Sequence, residues 1–429
     1  MKEPFYRTSR ELAQGSFKDL PQEFNSGNHL IYSSPATLAF NSPGAQGFGV
    51  KRAGLAVPGS VMLLVAPCCC GRNTTALNEG GYAERFFYLM LDDTDLVTGR
   101  HLNKIPQAVK EVCLSVEEPP SAVMICITCV DALLGTDMER VCRKASEAAG
   151  IPVVPCYMYA LTREGRLPPM VQVRQSIYSL LEKTDRKSNE ANILGFFSPL
   201  QEECELYTLL REAGVAKIRE ISRCDSYSQY REMARANFNL VLNSECRYAA
   251  QDLQKRLGIP FIELPRVYQI EKIRTLYRLL GQALSCTFDD ENYYREAREA
   301  IDSFGHKNAL FSVGEWINAD PFELSLALLR YGFRVKEIFG TVGEGSFVTL
   351  KQIAQLSPET RIYSNLSPSM LYYREEGEKP DFVLGKDARY YHKDVPGVDW
   401  NGEKQPFGYA GVKGLFESLK ATVQQEADA

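Results

Sequence analysis

Apolar runs too short to span a bilayer recur along this chain, and each is followed by a stretch of helical periodicity. Val61-Met62-Leu63-Leu64-Val65 and Ala122-Val123-Met124-Ile125-Cys126-Ile127-Thr128 are two of them; 193–197, 238–242 and 309–313 are three more. A short apolar run bounded by turn residues, then a helix, reads as a buried strand of a parallel sheet. Helices are predicted over 104–115, 137–149, 203–212, 249–257, 270–282, 290–304 and 321–331, with Gly214, Gly258 and Gly332 as stops. The fold class is α/β: three Rossmann-like domains with parallel sheets.

At 429 residues the chain exceeds one ordinary core. The polar stretch 183–190 reads as a linker, which divides the chain into an α/β domain at 1–187, a middle domain with a helical bridge at 188–305, and a third domain at 306–429. A net charge of −5 without a basic stripe argues against nucleic acid as a partner. No apolar stretch approaches the ~20 residues of a membrane helix. Met1–Arg7 has no apolar signal core, so a reducing, cytoplasmic setting is expected. Four histidines (His29, His101, His306, His392) speak against a histidine-rich metal site.

Twelve cysteines in such a setting are buried small hydrophobes or metal ligands. Cys68, Cys69 and Cys70 follow the first apolar run, and Cys129 follows the second. Ligands of parallel sheets sit beyond the carboxyl ends of strands, so both groups are expected at one edge, where thiolates suit a soft metal or an iron–sulfur cluster. Three consecutive side chains point different ways, so Cys68, Cys69 and Cys70 do not all reach one cluster without local distortion. A structural zinc site would want paired Cys-x-x-Cys knuckles. Cys126 lies inside its strand and reads as packing. Cys246 opens a helix, whose dipole lowers a thiol pKa, and is a candidate for cofactor contact. Lys386 and His392 follow the strand end 382–385 and are the candidate charge and proton carriers; a histidine serves as a proton donor near neutral pH. Trp400 and Phe407, in a glycine-bearing loop, are candidates to line the same cleft.

From about residue 30 to 420 the ordered segments resemble the nitrogenase component 1 superfamily. The resemblance is densest in Leu91-Asp92-Asp93-Thr94-Asp95-Leu96-Val97-Thr98-Gly99, then in Thr128-Cys129-Val130-Asp131-Ala132-Leu133-Leu134-Gly135-Thr136-Asp137 and Gly150-Ile151-Pro152. Weaker matches are 236–241 with Gly258-Ile259-Pro260, 379–386, and Pro406-Phe407-Gly408-Tyr409-Ala410-Gly411.

The resemblance implies a cluster held by cysteines at a subunit interface. Cys129 matches the third family cysteine and Cys70 the second. The first falls near Gly44, which leaves Cys68, Cys69 or a partner chain to supply it. That departure favours a [4Fe-4S] over an [8Fe-7S] cluster. The family's cofactor cysteine falls at Asn243 or Ser244, with Cys246 just beyond, and its cofactor histidine falls near Val398. The chain therefore pairs with a cofactor-bearing homologue or handles a different cofactor or substrate.

The resemblance further implies an oxygen-sensitive oxidoreductase subunit in a heterodimer or α2β2 assembly with a homologous component-1-type chain. It would accept electrons from an ATP-dependent iron–sulfur reductase and pass them through the interface cluster to a small-molecule substrate or cofactor site. No Gly-x-x-x-x-Gly-Lys-Ser/Thr loop is present, so ATP chemistry belongs to that reductase. Two alternatives stand beside this expectation. One is a scaffold of the same superfamily that holds a precursor cluster during cofactor assembly without turnover. The other is a structural partner with no pocket chemistry.

Overall fold

The computed structural model describes residues 3–24, 35–40, 49–67, 82–128, 130, 134–157, 167–185 and 188–427. After a short strand β1 (Tyr6–Thr8), strands β2 (Val61–Ala66), β3 (Phe86–Met90), β4 (Val123–Ile127) and β5 (Val153–Tyr157) form a parallel sheet in the order β3-β2-β4-β5. Its central strands are apolar at every position because both faces are covered. Met62, Leu64, Met124 and Cys126 join one core with Val173 and Ile177 of helix Pro169–Ser179. Leu63, Val65, Ile125 and Ile127 join a second core with helices His101–Ser115 and Met138–Ala149.

Strands β6 (Glu190–Leu194), β7 (Lys217–Glu220), β8 (Phe238–Val241) and β9 (Phe261–Glu263) repeat the arrangement in the order β7-β6-β8-β9. The third sheet holds β10 (Leu310–Val313), β11 (Arg334–Phe339), β12 (Arg361–Tyr363), β13 (Phe382–Leu384) and β14 (Gly397–Val398). Its order is β1-β12-β11-β10-β13-β14, with β1 added antiparallel on β12. In every sheet the chain builds to one side of the first central strand and then crosses to the other. The order therefore reverses between β2 and β4, between β6 and β8, and between β10 and β13, and these are the places where a doubly wound sheet opens a crevice.

By contact density the chain forms two compact units. One comprises Met1–Ser42, Leu200–Ala213 and Arg266–Ala429 and carries the third sheet; the other comprises Pro43–Pro199 and Gly214–Pro265 and carries the first two. Among the described residues no helix is long and apolar enough to cross a membrane.

Two elements depart from expectation. Strand β6 begins at Glu190, earlier than the run 193–197, because its polar residues are paired inside the sheet: Arg219 Nε donates to Glu190 at 2.7 Å and Asn192 Nδ2 donates to Asn239 Oδ1 at 2.8 Å. Strand β1 adds an edge that no apolar run announces. The motif 91–99 turns out to be a capped helix. Asp92 accepts from Asp95 N at 2.7 Å, Gly99 closes helix Asp93–Thr98 at φ 71°, and the Lys104 ammonium, 2.6 Å away, holds the Asp95 carboxyl below its usual range.

The Pro406–Gly411 motif is an anchor of the same kind. The buried Glu205 carboxylate accepts from Tyr409 N at 2.6 Å, Ala410 N at 3.1 Å and Tyr277 OH at 2.6 Å, at the start of helix Gly408–Ala427. Gly408 has φ 62°, and a Cβ there would overlap Glu205 Oε1. Gly408→Ala should destabilise the chain by about 2–5 kcal/mol, the sum of a left-handed backbone penalty and overpacking. The urea midpoint should fall with an unchanged slope.

Candidate functional site

The reversal of each sheet carries one set of candidate residues. In the first sheet β2 and β4 are neighbours in parallel register, Val65 opposite Ile127, so Pro67 and Thr128 leave the sheet at the same edge. Cys68, Cys69, Cys70 and Cys129 come next in the chain and lie outside the described residues. Thr128 is 3% exposed, and its hydroxyl has no hydrogen-bond partner among the described residues. Asp137 caps helix Met138–Ala149, accepting from Arg140 N at 2.9 Å. Among the described residues no three His, Cys, Asp or Glu side chains gather as a metal-binding set.

The reversal of the second sheet is closed. A Cβ on Gly195, which follows β6, would fall 2.7 Å from Asn243 N, and Asn243 itself caps the next turn by accepting from Glu245 N at 3.0 Å. The Arg174 guanidinium fills the remaining space: it donates to Gly195 O at 2.8 Å, pairs with Glu245 at 2.8 Å and lies 4.7 Å from the Phe197 ring centre. Cys246 is wholly buried behind this layer in the apolar core. Burial pushes its thiol up to about 12, against the pull of Arg174. The expected lowering by the helix start is reversed, because desolvation of a buried thiolate outweighs the field of one short turn.

The third sheet holds an open cleft of about 720 Å³. Lys386, Arg389, Val398, Trp400 and Lys404 line it, together with Asn318. Arg389 is tied to Asp399 at 3.2 Å, whereas the Lys386 and Lys404 ammonium groups form no ion pair among the described residues. Trp400 sits at φ 41°, a sparsely populated conformation for so bulky a residue, and its Nε1 donates to Tyr268 OH at 2.6 Å. The walls offer cationic and amide groups and an indole, with no thiol or imidazole among the described lining residues.

His392 does not share that cleft. It is 2% exposed; Nε2 lies 2.6 Å from Glu337 Oε1 and Nδ1 lies 2.7 Å from Glu375 Oε2. Each ring nitrogen thus has a carboxylate partner. Tyr373 OH donates to Glu337 at 2.8 Å and Ser312 Oγ donates to the same carboxylate at 3.1 Å, which completes a buried polar network. Burial and the Glu337 charge raise the Tyr373 hydroxyl, keeping it a donor. The two residues read as charge and proton carriers are thus separated, one lining a cleft and one locked in the core. Glu337 is the partner that sequence reasoning missed. It shares the inward face of β11 with Phe339, and nothing local ties that position to a histidine 55 residues on.

Comparisons with known proteins agree with this architecture. The family model described as "Nitrogenase component 1 type Oxidoreductase" matches residues 45–424, and the chain belongs to that family. Among its relatives is the nitrogenase iron-molybdenum cofactor biosynthesis protein NifE of Rhizobium meliloti (strain 1021), 26% identical over 83% of this chain and 79% of that protein. The protein of the same name from Mesorhizobium japonicum is 25% identical over 90% of this chain and 82% of its own length. A solved structure titled "Nitrogenase Cp1 at pH 6.5" superposes with a TM-score of 0.69, covering 92% of this chain and 93% of that one at 16% identity, which speaks to the fold alone. One expectation is corrected here. The chain was expected to be a turnover oxidoreductase subunit, whereas these relatives are named for the biosynthesis of a cofactor, not for a reductase reaction.

The separation of Lys386 from His392 is measurable. His392→Phe removes a donor from the buried Glu337 and should cost about 3 kcal/mol in urea unfolding. Lys386→Ala, at a half-buried cleft wall where the ammonium makes no ion pair among the described residues, should stay within about 0.5 kcal/mol of the parent. Equal losses for the two variants would contradict the assignment.

Proposed function

We propose that this chain is a cofactor-assembly subunit of the nitrogenase component 1 family. It holds an iron–sulfur cluster as cargo while that cargo is built or passed on, and turns over no small substrate of its own. The observation that carries the reading is the likeness, over more than four-fifths of the chain, to proteins named for iron–molybdenum cofactor biosynthesis.

The chemistry of the residues supports it at two places. Cys70 and Cys129, with Cys68 or Cys69, are soft thiolate donors that follow neighbouring strands of one sheet and fit a resident iron–sulfur cluster. With so few thiolates in one chain, a [4Fe-4S] cluster completed by a homologous component-1-type subunit, in a heterodimer or α2β2 complex, is the better fit than an [8Fe-7S] cluster. Electrons would come from an ATP-dependent iron–sulfur reductase, and a reducing, oxygen-poor cytoplasmic setting would preserve the thiolates.

The cleft at the third sheet suits temporary holding. Lys386 and Lys404 present point charges and Asn318 an amide, so the anionic side of a cargo is met by attraction and hydrogen bonding. A group held that way exchanges more readily than one bonded to thiolate and imidazole. Asn243 serves as a cap, Cys246 is in the core, and Val398 stands at the cleft wall, so among the described residues no Cys–His pair is on offer there.

The test is anaerobic co-expression with the homologous partner. The complex should be brown, contain iron and labile sulfide, and lose metal in Cys70→Ser and Cys129→Ser while the far-ultraviolet circular dichroism stays unchanged. Incubated with a cofactor-free component 1 acceptor, it should pass iron to that acceptor, and Lys386→Ala should release it faster. Sustained substrate turnover with reductase and ATP, or stoichiometric zinc without sulfide, would overturn the reading.

A further inference from the structure

Two carboxyl groups at the reversal of the third sheet, those of Glu315 and Asp387, both accept from the Asn365 side chain. Asp387, the second residue of helix Lys386–Tyr391, is wholly buried. It accepts from Glu315 N at 2.9 Å, Trp316 N at 3.1 Å and Asn365 Nδ2 at 2.7 Å. Glu315 follows β10, and its carboxyl accepts from Thr341 N at 2.6 Å and from the Asn365 side chain. Four strand ends converge on this point, those of β10, β11, β12 and β13, and the groups they turn toward the pair are Glu315, Thr341, Asn365 and Asp387. No cation forms an ion pair with either carboxyl among the described residues. The packing leaves no slack, since a Cβ on Gly314 would overlap Asp387 Oδ1.

Asp387 is wholly buried and Glu315 partly so, and two like charges tied to one amide resist ionising together. Burial raises the Asp387 carboxyl, and the backbone and amide donors around it pull the other way. Glu315 accepts from Thr341 N, from Thr341 Oγ1 at 3.4 Å and from the Asn365 side chain, yet burial and the neighbouring Asp387 charge push it up to about 7. The pair also joins two walls of the cleft. Lys386 and Arg389 flank Asp387 on its helix, Asn318 lies three residues beyond Glu315, and Lys386 N donates to Trp316 O at 3.2 Å between them.

We propose that Glu315 and Asp387 share one proton, and that release of this proton to solvent drives the loop Gly314–Asn318 and the helix Lys386–Tyr391 apart, changing the spacing of the cleft's cationic wall. Its consequence, a pH-dependent grip on an anionic cargo, rests on the proposed function; the proton itself does not.

The chain has two tryptophans, Trp316 and Trp400. Trp400→Phe leaves Trp316, whose backbone N–H donates to Asp387, as the only tryptophan, excited selectively on the red edge of the absorption band. Its fluorescence in the full-length protein, titrated from about pH 5.5 to about pH 8.5 to bracket a carboxyl held near neutral, should pass through one transition that Glu315→Gln abolishes. Near-ultraviolet circular dichroism of the parent and of Glu315→Gln gives the same comparison without the tryptophan substitution. A flat titration in folded protein, or a transition that survives Glu315→Gln, overturns the proposal. Neither readout uses bound metal, so failure of the assembly reading leaves this test intact.

Discussion

Reversal of strand order is the constraint on which every candidate site depends. When a parallel sheet grows first to one side of its central strand and then to the other, the loops leaving the two central strands diverge, and no helix covers the gap between them. This chain does it three times, at β2 and β4, at β6 and β8, and at β10 and β13. What distinguishes the three gaps is the chemistry placed there. The first is entered by the segments that lead to Cys68–Cys70 and Cys129, the second is plugged by Arg174, and the third opens as a lysine-bearing cleft.

Plugging with arginine has a physical logic. A guanidinium with its donors on Gly195 O, Met170 O and Glu245, and its face toward Phe197, satisfies carbonyls that a ligand would otherwise have to meet. It also leaves Cys246 a neutral thiol in an apolar core. The network around His392 follows the same rule on a larger scale: a buried charge is tolerated where each polar atom has a partner. Such networks register one element against another, here β11 against the end of helix Lys386–Tyr391.

Much of the fold was legible because parallel strands buried on both faces must be apolar at successive positions. The runs at 61–65, 122–128, 238–242 and 309–313 each coincide with a strand to within a residue or two. Legibility failed where polar residues were buried in pairs. Glu190 fell in the expected linker and Asn192 outside the expected strand because their partners, Arg219 and Asn239, lie tens of residues away. Asp387 and Glu315 lie 72 residues apart and drew no notice in the sequence, because only the convergence of four strand ends brings them together. The turnover reading had a different cause. Cysteines at a sheet edge specify that a soft metal can be held, and nothing in their spacing says whether the metal works there or is carried through.

The central claim is that the reversal of the first sheet is where metal is held. Anomalous diffraction at the iron edge, from crystals of the anaerobically isolated complex with its partner, tests it most directly. The account predicts iron density bonded to the Cys70 and Cys129 thiolates, beyond the ends of β2 and β4. Iron located instead at Cys246 or His392, with none at those two cysteines, would contradict it.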